Sequence, residues 1–307
     1  MPKQDIVVVG ASAGGVEALK ILAAGLPPDL EAAVFVVLHI GKGGVDGQSY
    51  LPDILSKAGP LPAINPTDGE SIQKRKIYVA PPDCHLLLEH GHIHLSSGPK
   101  ENRTRPAINP LFRSAARAYE GRVTGVIMTG LLDDGVAGLA EIKRKGGVAI
   151  VENPATAMFP SMPANALKYV EVDHVADLPM IGGFVAKFAS SDRIAIRREE
   201  LMEIKPSHLT CPECRGPLEQ ERQGKIVGYR CRVGHSYTPL ALEDDHRDTV
   251  ERSVWSAIVA LEEAADIADL LASELGSKSS EDARKKRSQA EVLKKMLNRF
   301  PSEEQKV

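Results

Sequence analysis

The segment Ile6–Gly15, IVVVGASAGG, restricts the possible folds of this chain more than any other stretch. Its first four residues are apolar and β-branched, which predicts a buried strand. Glycines then form a short turn, and the amphipathic run Val16–Ala24 predicts a helix. A strand that enters a helix through a glycine-rich turn is the building unit of parallel α/β sheets, and the helix N-terminus offers free backbone N–H groups.

The turn itself permits two functional interpretations. Gly10 to Gly14 matches the pattern G-x-S-x-G, in which small neighbours allow a tight turn to expose a nucleophilic Ser12. The alternative is a dinucleotide-binding loop, G-x-G-x-x-G, with Gly10 and Gly15 in place. Ser12 replaces the middle glycine of that loop and would crowd a pyrophosphate, so the pattern disfavours nucleotide binding.

Further apolar runs alternate with helical patterns along the first 190 residues. Buried strands are predicted at Ala33–Leu38, Val123–Thr129 and Val148–Val151. The runs on either side of Gly91 predict an antiparallel hairpin instead. We therefore expect a three-layer, doubly wound α/β fold whose sheet is mostly parallel, with helices on both faces. His85, His90, His92 and His94 lie in the hairpin and are interpreted as solvated, with metal binding as the alternative.

Composition limits the classes of partner and the number of domains. A net charge of −3 gives no reason to expect a nucleic-acid partner, and no apolar run is long enough to span a membrane. The N-terminus resembles no signal peptide, so a cytoplasmic protein is predicted. We predict a main α/β domain (1–190), a linker (191–207), a zinc-binding module (208–240) and a helical hairpin (241–301).

The predicted module carries three of the four cysteines. Cys211-x-x-Cys214 and Cys231-x-x-x-His235 have the spacing of a tetrahedral zinc site. Because all four ligands come from the protein, the pattern predicts a structural zinc ion and no cofactor for catalysis. So small a segment would depend on the metal for much of its stability. Free thiols are the alternative.

The C-terminal region predicts two helices separated by Gly276. The first has apolar residues at alternating intervals of four and three, which indicates a heptad seam. Its members are Val250, Val254, Ala257, Leu261, Ala264, Ala268 and Leu271. The second runs from near Ser280 to Phe300, with Ala290, Leu293, Leu297 and Phe300 at the same spacing. An antiparallel hairpin and a coiled coil that dimerises or binds a partner protein both fit this pattern.

Three polar residues each follow an apolar strand: Ser12, His39 and Asp134. Parallel α/β sheets bind ligands at the carboxyl ends of their strands, so neighbouring strands would bring these side chains together. A serine hydroxyl, an imidazole and a carboxylate that are hydrogen-bonded one to the next form a nucleophilic triad. The backbone N–H of Ala13 could bind the oxyanion of the reaction. Singly, each residue could instead have a structural role, such as capping a helix.

Several motifs resemble the catalytic domain of the CheB-type protein-glutamate methylesterases. They are GASAGG at Gly10–Gly15, His39 after its strand, IYVAPPDCHL at Ile77–Leu86, LFRSAARAY at Leu111–Tyr119, GVIMTGLLDDG at Gly125–Gly135 and Ser-Met-Pro at Ser161–Pro163. The resemblance covers positions 5 to 189. It implies a triad of Ser12, His39 and Asp134, with the backbone N–H of Leu131 joining that of Ala13 in the oxyanion hole.

The resemblance also implies a substrate. Such enzymes hydrolyse glutamyl methyl esters on chemoreceptors and often deamidate glutamines there. The chain departs from the family pattern after His39, at Leu132, where the family has glycine, and at Asn109-Pro110. It also starts at the catalytic strand, where family members commonly have a receiver domain before it. The zinc module and helices are expected to bind a partner or regulate activity. A non-catalytic signalling scaffold with this fold is the alternative function.

Overall fold

The computed structural model describes residues 5–39, 49–190, 202–275 and 280–297. The strands, in chain order, are β1 (Ile6–Ala11), β2 (Ala33–Leu38), β3 (Ala63–Ile64), β4 (Ile77–Val79), β5 (His85–Glu89), β6 (His92–Ser96), β7 (Val123–Ile127), β8 (Val148–Glu152), β9 (His174–Ala176), β10 (Met202–Thr210), β11 (Pro217–Gln223), β12 (Ile226–Cys231) and β13 (Ser236–Tyr237). The helices are α1 (Gly15–Gly25), α2 (Leu51–Ala58), α3 (Ile108–Tyr119), α4 (Val136–Arg144), α5 (Ser161–Tyr169), α6 (Leu178–Ser190), α7 (Pro239–Leu275) and α8 (Ser280–Leu297). The segment after His39 that departs from the family pattern, Gly276 and Phe300 lie outside the described residues.

Seven strands form one parallel sheet in the order β3-β4-β2-β1-β7-β8-β9. This confirms the α/β fold that the alternating pattern predicts. The central strands are buried along their whole length because helices cover both faces, which explains their uninterrupted apolar sequences. The chain proceeds from β1 to β2 on one side and later returns to β7 on the other. The strand order therefore reverses beside β1, which is where open α/β sheets bind ligands at the carboxyl ends of their strands.

Two hydrophobic clusters lie on opposite faces of the sheet. One unites the sheet with α1, α2 and α6, and the other unites it with α3, α4, α5 and the hairpin of β5 and β6. The predicted antiparallel hairpin is confirmed. Its histidines are not all solvated, because His85 is only 4% exposed and donates from Nε2 to the carbonyl of Pro99 over 3.0 Å. His94 is exposed and pairs with Asp68.

Strands β10 to β13 form a separate antiparallel sheet in the C-terminal module. β10 begins at Met202, so the described end of the predicted linker is a strand that pairs with β11. The sequence did not predict this strand, because most of its residues are exposed and it has no apolar pattern. Backbone contacts divide the chain into two units, Met1–Leu242 and Glu243–Val307, so this sheet belongs to the same unit as the α/β domain.

Within the second unit, α7 and α8 pack against each other as a hairpin. Ile258 shares a cluster with Ala290 and Leu297, whereas the later Ala265 and Ala268 meet the earlier Ala283, so the helices are antiparallel. The predicted heptad seam is confirmed in part. Val254 and Leu261 of α7 pack in it with Ala290, Leu293 and Leu297 of α8, and Ala268 is buried. Ile258 and Ala265 are buried next to the predicted Ala257 and Ala264, whereas Val250 and Leu271 are exposed. No helix in the described part of the chain combines the length and apolarity needed to cross a bilayer.

Candidate active site

The carboxyl ends of three adjacent strands bring Ser12, His39 and Asp134 together, as their positions in the sequence predict. β1 pairs with β2 on one side and β7 on the other. Nδ1 of His39 lies 3.2 Å from Oγ of Ser12, and Nε2 lies 2.8 Å from Oδ2 of Asp134. If Nε2 carries the proton and donates it to the carboxylate, Nδ1 keeps a lone pair that can accept the serine proton.

The serine turn is held by the end of β7. The backbone N–H of Ser12 donates to the carbonyl of Thr129 over 3.0 Å, and the Thr129 hydroxyl donates to the carbonyl of Ala13 over 3.1 Å. Gly14 has a left-handed φ of 71°, which glycine adopts without strain. A Cβ at Gly130 would lie 2.9 Å from Cβ of Ser12, so only glycine allows the serine and aspartate loops to approach this closely.

Asp134 is buried and accepts hydrogen bonds at both carboxylate oxygens. Besides His39, Oδ2 accepts the backbone N–H of Ile108 over 2.6 Å, and Oδ1 accepts Nδ2 of Asn102 over 2.9 Å. Ile108 is the first residue of α3, so the carboxylate lies at the positive end of that helix. Burial raises the pKa of Asp134, but the hydrogen bond and attraction of His39 and the donors from Ile108 and Asn102 outweigh it, leaving this pKa below its ordinary value.

Two residues in this network were missed by the sequence analysis. Asn102 precedes α3 in a loop and has a left-handed φ of 49°. Its Oδ1 accepts the backbone N–H of Thr238, which follows the last strand of the C-terminal module, over 2.8 Å. The Thr238 hydroxyl donates to Oδ1 of Asp133 over 2.5 Å. No local motif marks either residue, because their partners lie 32 and 105 positions away in the chain.

The residues predicted for the oxyanion hole flank the serine. Ala13 follows Ser12, and Leu131 follows Gly130, whose backbone passes close to Ser12. Among the described residues, no backbone or side-chain acceptor binds the N–H of Ala13 or Leu131. The next residue, Leu132, has a left-handed φ of 60° and its carbonyl accepts Nδ2 of Asn165 over 2.8 Å. This is the position at which the resembling family has glycine. The oxyanion role of both N–H groups stays a prediction.

Asp133 and Asp134 are adjacent carboxylates with different environments. Burial, and then repulsion by the Asp134 carboxylate, raise the pKa of Asp133 to about 6, although the hydroxyl of Thr238 opposes the rise. Asp133 accepts no hydrogen bond from His39, which bonds to Asp134 instead. The geometry therefore distinguishes the two carboxylates and places only Asp134 in contact with the imidazole.

The raised pKa of Asp133 predicts that its ionisation destabilises the fold. Between pH 3.8, the ordinary pKa of an aspartate, and about pH 6, the folded chain keeps the Asp133 proton that the unfolded chain has lost. The stability that this bound proton contributes is therefore lost as the pH rises through 6. The rise corresponds to about 3 kcal/mol. In urea unfolding from pH 4 to 7.5, Asp133→Asn should become progressively more stable relative to wild type and reach a plateau above pH 6. A difference that does not change with pH would contradict the assignment.

The four predicted metal ligands also come together. Cys211, Cys214, Cys231 and His235 place their ligand atoms within 4.8 Å of one another. The two motifs that carry them lie together at the open end of the β11–β12 hairpin, one before β11 and one at the end of β12, where Leu218 pairs with Cys231.

Comparison with known proteins gives consistent results. The family model described as CheB methylesterase matches residues 7–185. A Leptospira interrogans protein named as a candidate protein-glutamate methylesterase/protein-glutamine glutaminase is 38% identical over 178 residues, which is 58% of this chain and 91% of the relative. A protein-glutamate methylesterase/protein-glutamine glutaminase of Caulobacter vibrioides is 35% identical over 192 residues, which is 61% of this chain and 54% of the relative.

A solved structure is also similar. The crystal structure of the Thermotoga maritima CheB methylesterase catalytic domain superposes with a TM-score of 0.56 at 29% sequence identity. The match covers 61% of this chain and 98% of that structure. The family model ends at residue 185, before the cysteine module and the C-terminal helices, so neither region is part of the match.

Proposed function

We propose that this chain, which belongs to the CheB methylesterase family, hydrolyses glutamyl methyl esters on methylated signalling proteins and uses Ser12, His39 and Asp134 to do so. The observation that carries this proposal is the continuous hydrogen-bonded path from Oγ of Ser12 through the His39 imidazole to the buried Asp134 carboxylate. Curated relatives with the methylesterase name support the same substrate class.

The first half of the reaction would form an acyl-enzyme. Oγ of Ser12 attacks the ester carbonyl carbon while Nδ1 of His39 takes the hydroxyl proton. The imidazolium is stabilised by the Asp134 carboxylate, and the carbonyl oxygen, now negative, accepts hydrogen bonds from the N–H groups of Ala13 and Leu131. The tetrahedral intermediate collapses, the ester C–O bond breaks, and methanol leaves with the proton from His39.

The second half would regenerate the serine. A water molecule attacks the glutamyl–serine ester and gives a proton to Nδ1 of His39, after which Ser12 departs and recovers that proton. The product is a free glutamate side chain. A glutamine side chain could follow the same route with ammonia as the leaving group, as the glutaminase part of the relatives' names suggests. We place this activity in the cytoplasm, where the cysteines of the module, none of which forms a disulfide, would stay reduced.

Methanol release provides the direct test of this function. Receptor-bearing membranes methylated with a radiolabelled methyl donor should release volatile label when the purified protein is added, and mass spectrometry should show loss of one methyl group from each affected glutamate. The same membranes without methylation serve as the control. Absence of release from several methylated receptors, by a folded and monodisperse protein, would favour the non-catalytic scaffold instead.

The C-terminal helices provide a surface that could bind a partner or a second copy. Trp255 and Val259 on α7, and Val292 and Met296 on α8, are each about half exposed. Within each pair the residues are four apart and share one helix face. We propose that these apolar residues contact another protein chain. If that chain is a second copy, the sedimentation coefficient of the purified protein should rise with its concentration; if it is a different protein, the coefficient should stay constant.

A further inference from the structure

We propose that Cys211, Cys214, Cys231 and His235 bind one Zn²⁺ ion, and that this ion holds the C-terminal module in the position from which Thr238 orients Asn102 and, through it, the Asp134 carboxylate. Neither the module nor its ligands lie within the matched family region. The metal-binding half stands by itself, while the effect on catalysis rests on the function proposed above.

The geometry of the cluster fits a tetrahedral ion. Sγ of Cys214 lies 3.6 Å from Sγ of Cys231, which in turn lies 3.5 Å from Nδ1 of His235. Zinc–sulfur bonds of about 2.3 Å place tetrahedral ligands roughly 3.8 Å apart, whereas a disulfide needs about 2.05 Å. A site with three sulfur donors and one imidazole binds zinc in preference to magnesium or calcium, which favour oxygen ligands. Cys211 and Cys231 are buried, so two of the ligands are shielded from water.

The last ligand, His235, is directly followed by the strand that docks on the α/β domain. In this strand, β13, the carbonyl of Ser236 accepts the backbone N–H of Asn102 over 2.8 Å. Ser236 also forms a parallel bridge with Glu101, and the hydroxyl of Tyr237 lies 3.6 Å from Sγ of Cys211. A metal ion that fixes His235 and Cys211 therefore also fixes the register of β13 against residues 101 and 102.

Docking by β13 sets the orientation of the Asn102 amide. Its oxygen accepts the backbone N–H of Thr238 over 2.8 Å, so its nitrogen is directed to Oδ1 of Asp134 over 2.9 Å. On the other side, Glu101 is held by a bidentate ion pair with Arg113 of α3 at 2.7 and 2.5 Å. Asn102 is thus a positioning residue: it hydrogen-bonds to the Asp134 carboxylate, which in turn hydrogen-bonds to the His39 imidazole.

Loss of the zinc ion would free β13, which holds Asn102 on the side away from Asp134. Without a fixed β13, the Asn102 amide oxygen loses its donor, the backbone N–H of Thr238, and the amide can rotate. Asp134 then loses a buried donor. A carboxylate with fewer donors holds the imidazole less firmly, so we expect a lower kcat with little change in KM. Loss of a hydrogen-bond partner that orients a metal ligand typically costs about 10- to 100-fold in activity, and we expect an effect of the same order for this partner of Asp134.

The test compares metal content, backbone protection and activity in the full chain. Elemental analysis should find one zinc per chain, and removal by a chelator should accelerate amide hydrogen exchange at residues 102 and 236–238, with both effects reversed by added Zn²⁺. Chelation should lower kcat by about 10- to 100-fold. Cys214→Ser should lose the metal. Because that variant could unfold the module, reversible chelation of wild type carries the test.

Asn102→Gly separates positioning from general stability. Glycine accepts the left-handed φ at this position, so the change removes the amide without backbone strain. The Asn102→Gly variant should retain zinc and have a kcat lowered by about as much as chelation lowers that of wild type. Chelating the variant should not lower its kcat further, because both changes break the hydrogen-bonded path from Thr238 to Asp134. Arg75→Gly is the matched control, since Arg75 also has a left-handed φ (62°), is exposed, and bonds to Ala32 before the start of β2, at the opposite end of that strand from His39.

The two halves of the proposal can fail separately. A folded wild-type chain that binds no zinc and has four freely titrating thiols would overturn the metal site. A chain that binds zinc but shows unchanged kcat and unchanged exchange at Thr238 after chelation would overturn the coupling. If no methylated receptor yields methanol even with zinc bound, the proposed function fails, whereas the zinc and exchange measurements still decide the metal site.

Discussion

Ser12→Ala should lower kcat for methanol release by about 10⁴- to 10⁶-fold, the largest effect expected of any single substitution in this chain. The hydroxyl is the proposed nucleophile, and its described partner is Nδ1 of His39 at 3.2 Å. Alanine keeps the Cβ that packs against Gly130, so the two loops should still meet. The fold should therefore lose at most about 1 kcal/mol of stability, the usual net contribution of one hydrogen bond.

Two measurements separate loss of the nucleophile from loss of structure. Circular dichroism and the urea midpoint of Ser12→Ala should match wild type, and a fluorophosphonate probe should label wild type once and leave Ser12→Ala unlabelled. Ser273→Ala, at an exposed serine of α7 whose hydroxyl donates only within its own helix, is the matched control and should be fully active. Residual activity within tenfold of wild type would exclude Ser12 as the nucleophile.

The main features of the site could be predicted because they follow from periodicity and strand order. The apolar runs that end before Ser12 and His39 are buried on both sheet faces, and such strands are typical of parallel sheets covered by helices. Once β1, β2 and β7 are neighbours, the residues after their carboxyl ends must lie close together. Local sequence thus determines the strands, and the right-handed crossover rule leaves few ways to arrange them.

The supports of the site could not be predicted, because they depend on contacts between distant segments. The donor from Ile108 exists only because α3 points its N-terminus at Asp134, which no local pattern encodes. Asn102 lies in a loop, and its partner Thr238 belongs to a module that the sequence analysis treated as separate. The heptad pattern correctly placed Val254, Leu261 and Ala268 in the helix seam. It missed Ile258 and Ala265, because α7 packs on one antiparallel helix and its buried face follows α8.

Asp134→Asn should lower kcat by about 10⁴-fold and leave KM nearly unchanged. The carboxylate lies among donors: Oδ2 accepts from His39 and Ile108, and Oδ1 accepts from Asn102. An amide nitrogen at the Oδ2 position would face Nε2 of His39 and favour the wrong tautomer, with a proton on the nitrogen that must accept the proton of Ser12. An amide in the opposite orientation still lacks the negative charge that stabilises the imidazolium as Ser12 attacks.

Asp133→Asn provides the matched control, because it makes the same chemical change one residue earlier. An asparagine there keeps an oxygen for the hydroxyl of Thr238 and leaves the contact between His39 and Asp134 intact, so kcat should stay within about tenfold of wild type. Steady-state methanol release at pH 7.5 from the same methylated substrate compares the two variants. If Asp133→Asn were the inactive one and Asp134→Asn remained active, the carboxylate that supports His39 would have been assigned to the wrong residue, and the path through Asn102 to the module would lose its connection to catalysis.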